Sequence, residues 1–344
     1  MEPGCYTALI TPFENECGVD QTGLEKLIGF QIDNGITGIL ATGTTGESPT
    51  LKWKEHEQVI KQVADSAKGK CFRIAGTGSN NTEEALDALG HAADDGVDAV
   101  LMVDPYYNGP SSLEIRKEYY ETAAQKFPNL EIVPYIIPGR TGAQMFPQDL
   151  AVLAKNFSNI NCVKEATGNM ENIRLTRKFC PDGFQIFSGD DALIYEMMSA
   201  PDIRACGSIS VMSNIAPKAM TQMIDRLNRG DIQGGQKIQK ALAPLFDLVV
   251  VTTTETSEFG EVSCRARNPL PLKTMMQLLG MPSGPCRKPL GKMTPRGFKI
   301  VLDTLKKVQA ETPDILEPVA EFFNVDIDQR LNNSELHSKL QYND

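Results

Sequence analysis

INCVKEATGN, residues Ile160 to Asn169, holds one repeat of the pattern that decides the fold. A short, apolar, strand-forming run closes on a lysine, and Ala-Thr-Gly-Asn then turns the chain. Lysine on a sheet commonly sits at an exposed edge, where it serves solubility. Its meaning here depends on the other runs along the chain.

Similar β-rich runs recur at intervals of roughly 20 to 35 residues. They read CYTALI (5–10), TGILAT (37–42), FRIAGT (72–77), DAVLMV (98–103), EIVPYII (131–137), INCVKE (160–165), FQIFSG (184–189) and RACGSIS (204–210). Between most of them apolar residues fall at helical spacing, as in Leu24, Leu27, Ile28 and Ile32, or Leu150, Leu153 and Phe157. Eight strand–helix units are the count of a (β/α)8 TIM barrel, and a doubly wound sheet is the competing arrangement. The reading favours the barrel. Asp20 precedes QTGLEKLIGF as a cap, and Thr82 with Glu83 and Glu84 opens EEALDALGHAA, with carboxylates at the positive helix end.

The barrel is expected over residues 1–230 and a C-terminal helical appendage over 231–310, where helical patterns continue without strands. TTTETSE (Thr252 to Glu258) lacks apolar periodicity and reads as a loop. Residues 311–344 form a polar, acidic extension with one amphipathic piece around Val319 to Phe323, read as a docking segment or a partly disordered end.

Composition narrows the function classes. At 344 residues and 41% hydrophobic, the chain buries a large core. A formal net charge of -10, with no Lys/Arg-rich run, argues against a nucleic-acid partner. No apolar run approaches the roughly 18 residues needed to span a bilayer, so no membrane partner is expected. The eight cysteines are scattered, without a CxxC pair or a signal peptide, and read as reduced thiols of a cytoplasmic protein, or of a plastid form whose transit peptide has been removed. His56, His91 and His337 are too scattered for a metal site. GTGSNN lacks the last glycine of a dinucleotide fingerprint, and Asp190 and Asp191 fit a helix cap better than a catalytic carboxylate pair.

In a (β/α)8 barrel the functional groups gather where the strands end. Lys164 ends the sixth strand, and period-2 alternation sets it on the face of Cys162, opposite Val163 and Glu165. If that face is the interior, desolvation lowers the lysine pKa toward a usable neutral amine, as a Schiff-base lysine needs. A buried ion-pair lysine fits the same position. GTTGES after the second strand offers the hydroxyls and amides of Thr44 and Thr45, suited to a carboxylate, or merely leads into a helix. Tyr106 and Tyr107 follow the fourth strand, where loop aromatics also pack interfaces. Tyr135 at the end of the fifth strand can relay protons, and Arg140 beyond it can grip a carboxylate bidentately.

GTTGES, GTGSNNT, PYYNGPS, PYIIPGRTG, VKEATGN and FSGDDA fall in one order and spacing. In this the chain resembles the dihydrodipicolinate synthases, or 4-hydroxy-tetrahydrodipicolinate synthases, of the pyruvate-dependent class I aldolases, from about Tyr6 to Gln309. The resemblance implies that Lys164 forms an imine with pyruvate and that Tyr135, Thr44 and Tyr107 form a proton relay, Tyr107 reaching in from a neighbouring subunit. It also implies that Thr45 holds the pyruvate carboxylate, that Arg140 holds the carboxylate of L-aspartate 4-semialdehyde, and that Gly189 and Ile209 line the pocket. No cofactor is needed, because the lysine supplies the electrophilic imine.

Lysine-inhibited members of the family resemble the chain at Ser48, His56, Asn80, Glu84 and Tyr106, with Trp53 matching the plant-type version, so L-lysine is the expected inhibitor. An ordinary subunit interface accounts for the same residues. The resemblance further implies a homo-oligomer, a tetramer or a dimer. Ile136 departs from the asparagine common after the catalytic tyrosine, and residues 249–267 are longer than in short relatives. The competing functions are a sialic acid lyase or 2-keto-3-deoxy sugar acid aldolase with the same imine chemistry, and a non-catalytic lysine-binding barrel.

Overall fold

Eight parallel strands pair in chain order and close when the last meets the first: β1 (Gly4–Ala8), β2 (Gly38–Ala41), β3 (Phe72–Gly76), β4 (Ala99–Val103), β5 (Glu131–Ile136), β6 (Cys162–Glu165), β7 (Gln185–Ser188) and β8 (Gly207–Ser210). This computed structural model describes residues 1–15 and 18–343. The fold is the expected TIM barrel with a helical C-terminal region. Seven of the eight runs read as strands contain one of these strands whole, and CYTALI holds all of β1 but Gly4.

Strand alternation divides the core in two. Tyr6, Leu40, Ile74, Leu101, Val133, Tyr135, Cys162, Phe187 and Ile209 fill the inside, where Tyr6 packs edge-on against Phe187 at 5.5 Å between ring centroids. Their neighbours Ile39, Val100, Val163 and Ile186 face outward into the larger core beneath the helices. Ile136 belongs to that outer core, so apolar packing accounts for it. Among the helix starts, Asp20 accepts a hydrogen bond from the Gly23 amide at 2.7 Å, as expected. At the third strand's helix the cap is Asn81 rather than Thr82, which is the first helical residue.

After residue 230 the sequence reading needs one correction. Strands do not stop: β9 (Val250–Ser257) and β10 (Gly260–Arg267) form an antiparallel hairpin turned by Glu258 and Phe259. The stretch expected to be a loop is therefore most of β9. The ribbon stands largely in solvent and Val251 is its one buried residue, so it writes no apolar period into the sequence. Its four β-branched threonines were the available strand signal.

Of the two alternatives for the end of the chain, the docking segment is the one present. Helices Glu317–Phe323, Ile327–Leu331 and Ser334–Lys339 wrap back over the molecule. Leu316 and Val319 are fully buried, and Phe322 and Phe323 stack about Phe30 of helix Gln21–Asp33 at centroid distances of 5.3 and 5.2 Å. Arg330 donates to the backbone carbonyls of Gln277 and Leu278, closing the C-terminus of helix Leu270–Leu278. Among the described residues no helix is long and apolar enough to cross a membrane. A docked tail makes Leu316→Ala a core truncation, expected to lower the unfolding free energy by about 2–5 kcal/mol in urea. An unchanged denaturation midpoint would mean that the tail is loose in solution.

Candidate active site

Burial and one glycine position Lys164. The side chain is 4% exposed at the end of β6, and the β5–β6 register sets Tyr135 directly beside it. Its ammonium nitrogen lies 4.2 Å from the Tyr135 ring centroid. The lysine stem crosses Gly189 at the end of β7, where an added Cβ would stand 2.9 Å from Ala166 Cβ and 3.0 Å from Lys164 Cε. A larger residue would displace the lysine. Ile209 on β8 closes the interior nearby.

This environment withholds water, and no ion pair to Lys164 forms among the described residues. Burial lowers the Lys164 pKa to about 7, opposed by the charge of Asp191 and assisted by that of Arg140. Asp191 is held by the backbone: its Oδ2 accepts the Val211 and Met212 amides at 3.0 and 2.8 Å, its Oδ1 is buried without a hydrogen-bond partner among the described residues, and burial raises its own pKa to about 6. Asp190 is the helix cap that was expected, accepting from the Ala192 amide. Burial also raises the Tyr135 pKa, while Arg140 and a hydrogen bond with Thr44 oppose the rise.

Asn268, a residue the sequence reading missed, joins the threonine loop to the arginine. Its Nδ2 donates to Thr45 Oγ1 at 2.9 Å, and its backbone carbonyl accepts from Arg140 Nη2 at 2.9 Å. Behind the same loop Glu47, at φ 57°, is fixed by the buried Lys273, 2.7 Å away, and by the Arg287 amide. Neither Asn268 nor Lys273 carries a local signal, because each lies more than 220 residues from its partner in the loop.

A cavity of about 430 Å³ opens above these groups. Thr44, Tyr135 and Arg140 line it together with Ser48, Trp53, His56, Glu84 and Tyr106, so the two clusters inferred separately from sequence share one space. Lys164, Thr45, Gly189 and Ile209 are not in its lining. Asn80 is exposed and outside it. Tyr107 is also outside, 88% exposed and held at φ 80°. Burial lowers the His56 pKa to about 4, so this ring is neutral at pH 7, 5.5 Å from the Trp53 ring. Ser79 Oγ donates to Glu84 at 2.7 Å, leaving the other carboxylate oxygen unengaged by that bond. Among the described residues no three His, Cys, Asp or Glu side chains assemble a metal cage.

A family model, the dihydrodipicolinate synthetase family, matches residues 2–308. The chain belongs to this family. It is an enzyme, a lyase. A 4-hydroxy-tetrahydrodipicolinate synthase of Methanococcus maripaludis is 40% identical over 290 residues, covering 84% of this chain and 93% of the relative. The Cyanidioschyzon merolae enzyme, solved with lysine bound, matches with TM-score 0.80 and 34% identity over 89% of this chain and 97% of its own. The chloride-inhibited Acinetobacter baumannii dihydrodipicolinate synthase, solved in complex with pyruvate, gives TM-score 0.81 and 33% identity over 90% and 99%.

A depressed lysine pKa has a consequence for stability. Between its folded value of about 7 and its ordinary value of 10.5, Lys164 binds its proton more fully in the unfolded chain, so stability rises with pH across that window. Lys164→Met removes this contribution. The variant should exceed the parent by roughly 2–5 kcal/mol at pH 7, with the gap narrowing as pH rises toward 10. Guanidinium unfolding at several pH values reads the gap, and a pH-independent difference would count against desolvation of Lys164.

Proposed function

We propose that the chain condenses pyruvate with L-aspartate 4-semialdehyde through an imine on Lys164, as a 4-hydroxy-tetrahydrodipicolinate synthase. The observation that carries the reading is Lys164 itself: a buried, unpaired amine with a pKa near 7, set against the ring of Tyr135. The synthase name of the relatives supports this reading over a sugar acid aldolase.

In this reading the neutral amine attacks the keto carbon of pyruvate, and water leaves as the iminium forms. A methyl proton passes to the relay of Tyr135, Thr44 and Tyr107, giving an enamine whose carbon attacks the aldehyde. The new alkoxide takes a proton from the relay, and transimination by the substrate's own amine closes the ring and frees Lys164. Thr45 holds the pyruvate carboxylate, Arg140 that of the aldehyde, and Gly189 and Ile209 shape the space about the imine. The exposure of Tyr107 supports its reaching a second subunit, which makes a homo-oligomer, a tetramer or a dimer, part of the proposal.

The shared cavity supports feedback by L-lysine. Glu84 is placed to pair with its α-amine, and Trp53 and the neutral His56 wall its aliphatic stem, with Ser48 and Tyr106 beside them. Asn80 joins them only if its exposed side chain turns inward.

Because only the neutral amine attacks, pyruvate-dependent borohydride trapping should rise with pH through a midpoint near 7, and Lys164→Ala should abolish it. Trapping on another lysine would sink the assignment. Millimolar L-lysine should suppress turnover of the two substrates, and Glu84→Gln should raise the inhibitory concentration by about tenfold, as for loss of a charge-assisted bond. Turnover indifferent to lysine rejects the regulatory half of the proposal alone.

A further inference from the structure

Two arginines of the hairpin have no role in the chemistry above. We propose that Arg265 and Arg267 extend the carboxylate-binding face begun by Arg140 and receive the carboxylate of the second substrate at the barrel mouth. The inference rests on the synthase reading and adds to it two specificity-determining residues.

A reciprocal clasp sets the geometry. Arg140 donates to the carbonyl of Asn268 at 2.9 Å, and Arg267 donates to the carbonyl of Gly139 at 3.0 Å. Residues 139–140 and 267–268 are thereby cross-linked, which holds the Arg267 guanidinium against the short helix Pro138–Thr141 that carries Arg140. Arg265 precedes Arg267 by two residues on β10 and shares its face of the ribbon. Of the hairpin's acids, Glu255 is on the opposite face, where it pairs across the strands with Val262, accepts from Thr253 and approaches Arg296. Glu261 shares the arginines' face four residues before Arg265, with no ion pair to either arginine among the described residues.

The cluster is short of negative charge. None of the three arginines makes an ion pair among the described residues, in a chain whose net charge is -10. Arg267 Nε is buried without an acceptor, although one of its Nη atoms is satisfied. Arg265 and Arg267 each disfavour the charge on Arg140 and so lower its pKa, after burial, which is the larger cause. A bound carboxylate relieves the repulsion among the guanidinium groups. Guanidinium pairs bidentately with such planar oxygens. Arg140 also lines the cavity that Tyr135 borders, while Arg265 and Arg267 lie outside its lining, so an anion held by the cluster sits beside that cavity, against Arg140.

The test is steady-state kinetics of the full chain and of Arg265→Gln, Arg267→Gln, the double variant and Arg267→Lys. In the double variant KM for L-aspartate 4-semialdehyde should rise roughly 3- to 10-fold, the range for losing partly exposed charge pairs, and should depend less steeply on NaCl. KM for pyruvate should stay unchanged, and Arg267→Lys should recover part of the loss. An unchanged KM for the aldehyde, or equal rises for both substrates, overturns the inference. If the parent traps pyruvate yet fails to turn over the aldehyde, the synthase reading has failed. Calorimetric titration with succinate in saturating pyruvate then decides the inference separately: weaker binding by the double variant upholds it, and equal binding overturns it.

Discussion

The ion pair between Glu47 and Lys273 joins the two ends of the chain and fixes the site. Both side chains are almost wholly buried, 2.7 Å apart, and lie 226 residues apart in sequence. Placing two charges out of water costs several kcal/mol each, so the pair is better understood as specifying an arrangement than as adding stability. What it specifies is the left-handed turn at Glu47, directly after the threonines, and the docking of helix Leu270–Leu278 behind it. Arg287 reinforces the same joint through its amide on Glu47 and two 2.7 Å bonds to Glu55, and Phe13 is sandwiched against both cations. Once that helix is docked, Asn268 at its start falls between Thr45 and Arg140. The helical C-terminal region is therefore part of the candidate site through Asn268.

The two buried lysines show how environment divides one residue type into two roles. Burial lowers the pKa of both. Lys273 meets a carboxylate whose charge and hydrogen bond oppose that shift, and it also donates to the Pro285 carbonyl. Lys164 meets an aromatic face and a glycine, and Asp191, whose charge only partly opposes the shift, makes no ion pair with it among the described residues. A paired lysine is inert, whereas an unpaired one is a nucleophile near neutral pH.

The sharing of one cavity by Thr44, Tyr135 and Arg140 with Trp53, His56, Glu84 and Tyr106 would give the proposed regulation a short physical route to the proposed chemistry. A ligand against Glu84 fills the same space as the approach to Tyr135, and the adjacent Tyr106 and Tyr107 tie that space to an exposed, left-handed loop. No long chain of coupled residues is required for such communication.

The barrel was legible in the sequence because its strands are short, β-rich and evenly spaced, and because period-2 alternation is a local property that β6 obeys: Cys162 inward, Val163 outward. Lys164, Tyr135, Thr44, Thr45 and Arg140 were legible as residues at strand ends, where a barrel places its mouth. The hairpin was not, since a solvated ribbon buries too little to leave a pattern; the tail's amphipathic piece offered docking as one alternative, without showing that Phe30 is its seat. Asn268, Lys273 and the Arg265–Arg267 pair were hidden for a different reason. Their partners lie more than a hundred residues away, and only the closed tertiary structure brings a loop after β2 and a helix after β5 against the segment that follows the hairpin. Sequence alone determined which groups stand at the mouth of the barrel; tertiary packing decided which of them are dry, which are paired and which face one another, because desolvation and charge pairing are properties of neighbours in space.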